Sequence, residues 1–166
     1  MATPVTVEQG DQIVSGDRSC TVTYVADGWL YTAGHCTQPG EDVYRVRHGL
    51  RRHIGVTAQA VDTGAEDYAV VKLNPRTNTR NPYADNLAPA PRPGDTVCHY
   101  ARQTNTTRCG TVDAGGWVNT PHTIRKGDSG GPVWAPGKGL VGSITHTDGP
   151  QWWRVSSGGW PTAPEP

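Results

Sequence analysis

The sequence predicts an all-β fold of the antiparallel barrel or sandwich type, and three observations support this prediction. The 166 residues include 21 Gly and 14 Pro, and runs of strong helix formers with a helical period are hard to find. Short segments rich in β-branched and aromatic residues recur, separated by polar or Gly/Pro connectors. The length suits one domain and leaves no room for a second sizeable core. We therefore expect a single β-rich domain rather than a helical bundle.

The first hairpin has the clearest signal. Between Cys20 and Ala33, two β-branched or aromatic runs flank Asp27-Gly28, a dipeptide that tolerates the positive φ angles of a type I′ turn. Similar pairs follow along the chain. The further predicted strands are 43–46 against 54–60, 69–73, 96–102 against 107–112, and 132–134 against 140–145.

Two segments lack this pattern. Asn74 to Pro93 holds five Pro and four Asn and predicts a long loop, which either joins two half-domains or is an irregular surface connection within one domain. Gly158 to Pro166 holds three Pro and predicts a linker or a frayed end. The first ten residues lack the basic-then-apolar pattern of a signal peptide, so we expect any export signal to lie outside this sequence.

Charge and hydropathy argue against two classes of partner. The formal net charge is zero, so no overall field gathers nucleic acid or an anionic membrane. No stretch approaches the roughly 20 apolar residues that a membrane helix needs. One basic cluster alternates along predicted strands without interleaved aromatic residues, which favours a solvated hairpin over a nucleic-acid patch. The cluster consists of Arg45, Arg47, Arg51, Arg52 and His53.

The candidate nucleophile is Ser129. Hydrolysing an unactivated acyl bond needs a nucleophile, a base, a group that orients the base, and donors for the oxyanion. In Gly127-Asp128-Ser129-Gly130-Gly131-Pro132, the glycines let the Ser129 hydroxyl protrude just before a predicted strand. They also let the backbone amides of Gly127 and Ser129 point at one spot. We expect those two amides to form an oxyanion hole.

The candidate base and its orienting carboxylate are His35 and Asp67. His35 lies at the end of a predicted strand, where the following Cys36 can fasten the backbone and fix the ring. Asp67 opens an apolar strand and, partly buried there, could hold the required tautomer of His35. Asp62 is the rival carboxylate, but it precedes a Thr-Gly turn and begins no apolar strand.

These three segments resemble the chymotrypsin-like serine proteases, and more closely their bacterial branch, the streptogrisins and α-lytic protease. The order His, Asp, Ser agrees with that family, and the resemblance covers roughly residues 18–147. It implies two antiparallel six-stranded β-barrels with the active site between them. The implied limits are about 10–75 for the first barrel, 74–93 for the connecting loop, about 94–157 for the second barrel and 158–166 for the Pro-rich tail.

The resemblance also implies the cysteine pairing. Four cysteines favour an oxidising compartment but by themselves allow three pairings. In the bacterial branch the matching pairs are Cys20 with Cys36 and Cys98 with Cys109. No His/Cys spacing fits a metal site, so we expect neither a metal nor another cofactor.

Substrate preference and the partner of Asp128 are less well encoded. By resemblance, the substrate pocket comprises Thr123, Lys126, Thr145, His146 and Thr147. Trypsins carry an Asp at the position of Thr123, so no Arg/Lys preference is expected. The pocket then either takes an acidic side chain or is a small to medium apolar pocket with its charges on the rim. A further hypothesis is that His99 or Arg102 neutralises Asp128, as an internal Arg does in the bacterial branch.

The function that these residues predict is that of a secreted, monomeric serine endopeptidase. It would hydrolyse polypeptide substrates through an acyl-enzyme, with Ser129 as nucleophile, His35 as general base and acid, and Asp67 as the orienting carboxylate. The alternative is a catalytically silent, protease-like binding module that uses the cleft to hold a ligand. Intact Ser, His and Asp residues argue against this alternative, because a binding module needs no nucleophile beside a base.

Overall fold

Fifteen β-strands and one short 3-10 helix make up the regular structure of the residues that the computed structural model describes, which are 4–63, 66–119, 124–147 and 152–156. The 3-10 helix is Gly34–Cys36. The strands are β1 (Thr6–Glu8), β2 (Gln12–Ser15), β3 (Arg18–Thr21), β4 (Tyr24–Ala26), β5 (Trp29–Thr32), β6 (Asp42–Arg47), β7 (Leu50–Asp62), β8 (Asp67–Leu73), β9 (Asn78–Arg80), β10 (Thr96–Ala101), β11 (Thr106–Val112), β12 (Trp117–Asn119), β13 (Pro132–Ala135), β14 (Gly139–Thr147) and β15 (Trp152–Ser156). None of the described helices is long and apolar enough to cross a membrane.

The first large sheet has seven strands, in the order β3-β2-β6-β7-β8-β5-β4. Its two edge strands, β3 and β4, follow one another in the chain and are separated only by Val22 and Thr23. The two edges must therefore meet at this link, and the sheet curls on itself. Across the seam, the Thr32 hydroxyl donates to the Thr21 carbonyl at 2.7 Å, and the Thr23 N–H donates to the Tyr31 carbonyl at 2.8 Å. Strands β3 and β4 thus act as one interrupted strand of a six-stranded barrel.

The second sheet is a closed six-stranded barrel with the order β10-β11-β12-β15-β14-β13. Its interior is filled by small and branched apolar side chains, as expected for a barrel of this size. They include Val97, Val112, Val118, Val133, Val141 and Ile144. The predicted all-β, two-barrel fold class is confirmed. The division at the connecting segment supports our proposal that the barrels span about 10–75 and 94–157, whereas the tail 158–166 lies outside the described residues.

The hairpin predictions are confirmed, with two differences. Asp27 (φ 53°) and Gly28 (φ 83°) join β4 and β5 in the left-handed conformation that a type I′ turn requires. The antiparallel pairs β6–β7, β10–β11 and β13–β14 also form. The run expected to start a single strand at Cys20 is interrupted after Thr21. In the predicted loop 74–93, the short strand β9 pairs in parallel with β1.

Gln9 attaches the connecting segment to the first barrel. Its buried side-chain amide donates to the carbonyls of Thr23 (3.1 Å) and Ala84 (3.2 Å). Its oxygen accepts hydrogen bonds from the N–H groups of Tyr83 (2.8 Å) and Ala84 (2.9 Å). A buried amide whose hydrogen bonds are satisfied in this way holds a segment in one position. The middle of the connecting segment is therefore anchored beside the seam at Val22 and Thr23.

The predicted basic cluster on the β6–β7 hairpin is only partly solvated. Arg45 is buried and donates to the Thr6 carbonyl at 2.6 Å. Arg47 forms an ion pair with Asp11 at 2.8 Å. The Arg45 bond thus ties the hairpin to β1, and the Arg47 ion pair ties it to the residue that precedes β2. The structure thus gives the cluster a packing role that alternation along the strands did not reveal.

Removing the second disulfide is expected to destabilise the fold. Cys98–Cys109 joins directly paired residues of β10 and β11, with a sequence separation of 11. The chain-entropy treatment of such a loop gives a loss of about 3 kcal/mol for the double substitution Cys98→Ser/Cys109→Ser. Urea unfolding monitored by tryptophan fluorescence measures this loss. Equal free energies of unfolding for the variant and the parent would contradict the prediction.

Candidate active site

His35 lies in the 3-10 helix that ends the β5 segment. Gly34 lets this turn lie directly against the Val61 and Tyr68 carbonyls, because a Cβ at this position would collide with that backbone. The following residue, Cys36, is tied to Cys20 by a disulfide. The backbone on both sides of His35 is thus immobilised, while 39% of its side chain stays exposed.

Asp67, the first residue of β8, contacts both the main chain and the imidazole ring of His35. One oxygen, Oδ1, accepts the His35 main-chain N–H at 3.0 Å, and the other, Oδ2, lies 2.8 Å from Nδ1 of the ring. A carboxylate acceptor at Nδ1 selects the tautomer with its proton on Nδ1, which leaves Nε2 as the basic nitrogen. Asp67 is buried, whereas its rival Asp62 is exposed on the paired strand β7. The structure therefore brings Asp67, and not Asp62, to His35.

The pair has opposite pKa shifts. The hydrogen bond to Asp67 raises the pKa of His35, and this effect outweighs the burial that lowers it. Burial by itself raises the pKa of Asp67, but the hydrogen bonds from His35 and Thr145 outweigh it and lower the pKa. Asp67 is therefore ionised at neutral pH, and its charge favours an imidazolium at His35.

Thr145 is buried on β14, and its hydroxyl donates a hydrogen bond to Oδ2 of Asp67. Sequence reasoning placed Thr145 only in the pocket, because its partner is 78 residues away and no local signal links the two. Of the other predicted pocket residues, Lys126 is exposed. Thr123 and the side chains of His146 and Thr147 lie outside the described part of the chain.

The loop that carries Ser129 is hydrogen-bonded to the first barrel, and it also packs against the residues that immediately precede Gly34 and His35. The Ser129 carbonyl accepts the Thr21 N–H at 2.9 Å, and the Thr23 hydroxyl donates to the Gly130 carbonyl at 2.5 Å. Gly130 has a φ of +88°, and a Cβ there would lie 2.5 Å from Thr32 Oγ1 and 3.3 Å from the Ala33 nitrogen. The loop therefore packs against the strand that leads into the His35 turn.

Two backbone donors beside Ser129 remain available. Gly127 has a φ of +100°, a conformation that favours glycine. In the described residues, the N–H groups of Gly127 and Ser129 donate to no protein acceptor, whereas those of Asp128, Gly130 and Gly131 are bonded to carbonyls. Two unpaired amides, one of the serine itself and one of the residue two positions before it, are what an oxyanion hole requires.

The Asp128 carboxylate is fully buried and is bound by main-chain donors. Its Oδ1 accepts the Gln103 N–H at 2.8 Å, and its Oδ2 accepts the Arg125 N–H at 2.7 Å. Across the described residues, Arg102 forms no ion pair with it. The Arg102 guanidinium instead donates to the Gly127 carbonyl at 3.1 Å. Burial lowers the pKa of Arg102, and the charge of Asp128 partly offsets this. The hypothesis that an internal cation neutralises Asp128 stays a prediction.

One group of potential metal ligands lies at the site. Ligand atoms of Cys20, His35 and Cys36 lie within 4.8 Å of one another. Both cysteine sulfurs belong to the disulfide, and a metal is bound by thiolates. This group therefore does not act as a metal centre while the disulfide is intact.

Comparison with known proteins identifies which solved structures share this fold. No protein-family model and no curated protein matches the sequence. Solved structures do match. A chymotrypsin from Cellulomonas bogoriensis superposes with a TM-score of 0.66 at 24% identity, covering 90% of this chain and 91% of the other. Protease A from Thermobifida fusca gives 0.68 at 18% identity, covering 91% and 92%.

The fold is chymotrypsin-like. A human astrovirus serine protease shares it as well, with a TM-score of 0.64 at 15% identity and coverage of 92% of this chain and 91% of the other. The chymotrypsin-like neighbours thus include bacterial and viral proteases and span nearly the whole chain. Because identity is at most 24% among these three, the similarity establishes the fold, and function must be argued from the site.

Proposed function

We propose that the protein is a serine endopeptidase that hydrolyses peptide bonds through an acyl-enzyme. The observation that carries the proposal is the buried Asp67 carboxylate bound to both N–H groups of His35, beside a clamped loop that carries Ser129 and two unpaired amides. A binding module has no need of a buried carboxylate that selects the tautomer of a histidine. The proteolytic names of the structural neighbours agree with this function.

The proposed reaction has two halves. Ser129 Oγ attacks the scissile carbonyl while Nε2 of His35 takes its proton, and the resulting oxyanion accepts hydrogen bonds from the Gly127 and Ser129 amides. The imidazolium then donates its proton to the leaving amine. Water, deprotonated by the same nitrogen, hydrolyses the acyl-enzyme and releases Ser129. Asp67 stays ionised throughout and stabilises the imidazolium.

The substrate pocket remains part of the proposal. We assign it to Thr123, Lys126, Thr145, His146 and Thr147, with Thr145 also supporting Asp67. The exposed, basic Arg125 and Lys126 immediately precede the Gly127-Asp128-Ser129 turn. A peptide library varied at the residue before the scissile bond separates the two pocket hypotheses. Selection of Glu or Asp supports the basic pocket, and selection of small apolar residues supports the apolar one.

The acidic limb of the pH profile depends on the protonation of His35. His35 must be neutral to accept a proton, and its pKa is raised by Asp67. Activity is therefore lost as pH falls through this raised value, and kcat/KM should have its midpoint above the ordinary histidine pKa of about 6.5. The profile is measured with one peptide substrate at constant ionic strength. A midpoint at or below the ordinary value would contradict the proposed pairing.

Pre-steady-state hydrolysis of a p-nitrophenyl ester tests the acyl-enzyme. We expect a burst of p-nitrophenol close to one equivalent per protein, because acylation of Ser129 precedes slower deacylation. Peptide hydrolysis should accompany the burst. A protein that binds peptides but shows neither burst nor cleavage would have the alternative, non-catalytic function.

We also propose that the protein is secreted and acts as a monomer. The two disulfides support secretion, because such bonds persist in oxidising compartments.

A further inference from the structure

The turn after β10 makes an unexpected set of contacts with the segment before Ser129. The Gln103 side-chain amide donates to the Lys126 carbonyl at 2.8 Å. The Gln103 main-chain N–H donates to Asp128 Oδ1 at 2.8 Å, and Arg102 donates to the Gly127 carbonyl at 3.1 Å. Two consecutive residues of one turn therefore hold three consecutive residues of the other.

The contact at Lys126 fixes the direction of an oxyanion donor. The Lys126 carbonyl and the Gly127 N–H belong to the same planar, trans peptide and point in opposite directions. A donor that captures the carbonyl on one side therefore aims the N–H at the other side. In the described residues that N–H meets no protein acceptor, as a donor reserved for substrate requires.

Glycine makes this orientation reversible. The present φ of +100° favours glycine, and half a turn of the peptide would bring φ to about −80°, which every residue type adopts. Gly127 can therefore take either orientation. Rotating the Lys126–Gly127 peptide by half a turn would replace the N–H donor with a carbonyl oxygen. An acceptor at that place repels a developing oxyanion, so the orientation of one peptide decides whether the hole works.

We propose that Gln103 is a positioning residue that keeps the Gly127 N–H pointing into the oxyanion hole. This inference rests on the proposed serine endopeptidase function. Gln103 contacts no reacting atom and acts through the Lys126 carbonyl. Close packing supports the assignment, since a Cβ at Gly127 would collide with Nε2 of Gln103 and lie 3.0 Å from Arg102.

The side chain of Gln103 can be changed without removing its other contact. Gln103 is exposed, so a substitution there removes little buried apolar surface. The main-chain N–H that binds Asp128 is retained in every variant except proline. The Gly127 carbonyl also keeps its own donors, the Thr21 hydroxyl at 2.9 Å and Arg102. Substitution at Gln103 therefore tests mainly the Lys126 contact.

Two substitutions of similar size form the experiment. Gln103→Met removes the donor, and Gln103→Glu replaces it with an acceptor. Losing one hydrogen bond of ordinary strength should lower kcat about fivefold to tenfold in Gln103→Met, with KM nearly unchanged. The Glu variant should be slower still. Binding of a peptidyl trifluoromethyl ketone, whose adduct with serine carries an oxyanion, should weaken in the same order. Thr107→Ala, at an exposed position on the same hairpin, is the matched control.

The outcomes separate this inference from the proposed function. If the parent protein neither cleaves peptides nor forms an acyl-enzyme, the proposed function fails. If the parent is active and Gln103→Met matches it in kcat and ketone affinity, the inference alone is wrong. It is equally wrong if the variants melt at lower temperature and lose activity through KM, because that pattern shows a structural role.

Discussion

Replacing Ser129 with alanine is expected to lower peptide hydrolysis by about 10⁴-fold or more, with little change in the free energy of unfolding. The Ser129 carbonyl, and not its side chain, forms the bond to Thr21 that anchors the loop, so the substitution leaves this anchor intact. The loss comes from removing the only proposed nucleophile. Initial rates with one peptide substrate and urea unfolding of both proteins measure the two effects.

Thr107→Ala is the control for Ser129→Ala, because it also removes one hydroxyl, from an exposed strand position. It should hydrolyse the substrate at the parent rate. If Ser129→Ala instead cleaved as fast as the parent, a different nucleophile would have to be sought. If it unfolded, the loss of rate would say nothing of chemistry, and the unfolding curve guards against this.

Replacing Asp67 with asparagine is expected to lower kcat by about 10³-fold to 10⁴-fold. The amide carries no charge to stabilise the imidazolium, and its N–H₂ group can donate to His35 and so favour the wrong tautomer. The acidic limb of the pH profile should also move to lower pH, since Asp67 no longer raises the His35 pKa. The measurement is kcat/KM across the pH range for variant and parent.

Asp62→Asn is the matched control for Asp67→Asn. Asp62 faces Asp67 across the β7–β8 ladder but is exposed, so screening by solvent limits its effect on His35. Its rate should stay within about a factor of two of the parent, as is usual for surface charges. Equal losses in the two variants would contradict the assignment of the orienting carboxylate to Asp67.

Local signals predicted much of this molecule. Asp27-Gly28 predicted a type I′ turn because both residues tolerate positive φ, and the structure has that turn. His35, Asp67 and Ser129 could be proposed as site residues because each lies in a short segment whose chemistry is visible in the sequence. The two-barrel fold class followed from the strand pattern together with the family resemblance.

Contacts between distant residues were not predictable in the same way. The hydroxyl of Thr145 donates to Asp67, and the side-chain amide of Gln103 donates to the Lys126 carbonyl. The sequence around Thr145 or Gln103 contains no pattern from which either partner could be predicted. The break at Val22 and Thr23 depends on where the edges of a curled sheet meet. Strand β9 exists because β1 lies beside it, although its own residues resemble a loop.

Covalent labelling with a fluorophosphonate tests the central claim most directly, because this reagent reacts with a serine that an adjacent base activates. The parent protein should take up one label, located by peptide mass spectrometry on Ser129, and His35→Ala should take up almost none. Labelling elsewhere, no labelling of the folded parent, or undiminished labelling of His35→Ala would contradict the assignment of Ser129 and His35 as nucleophile and base.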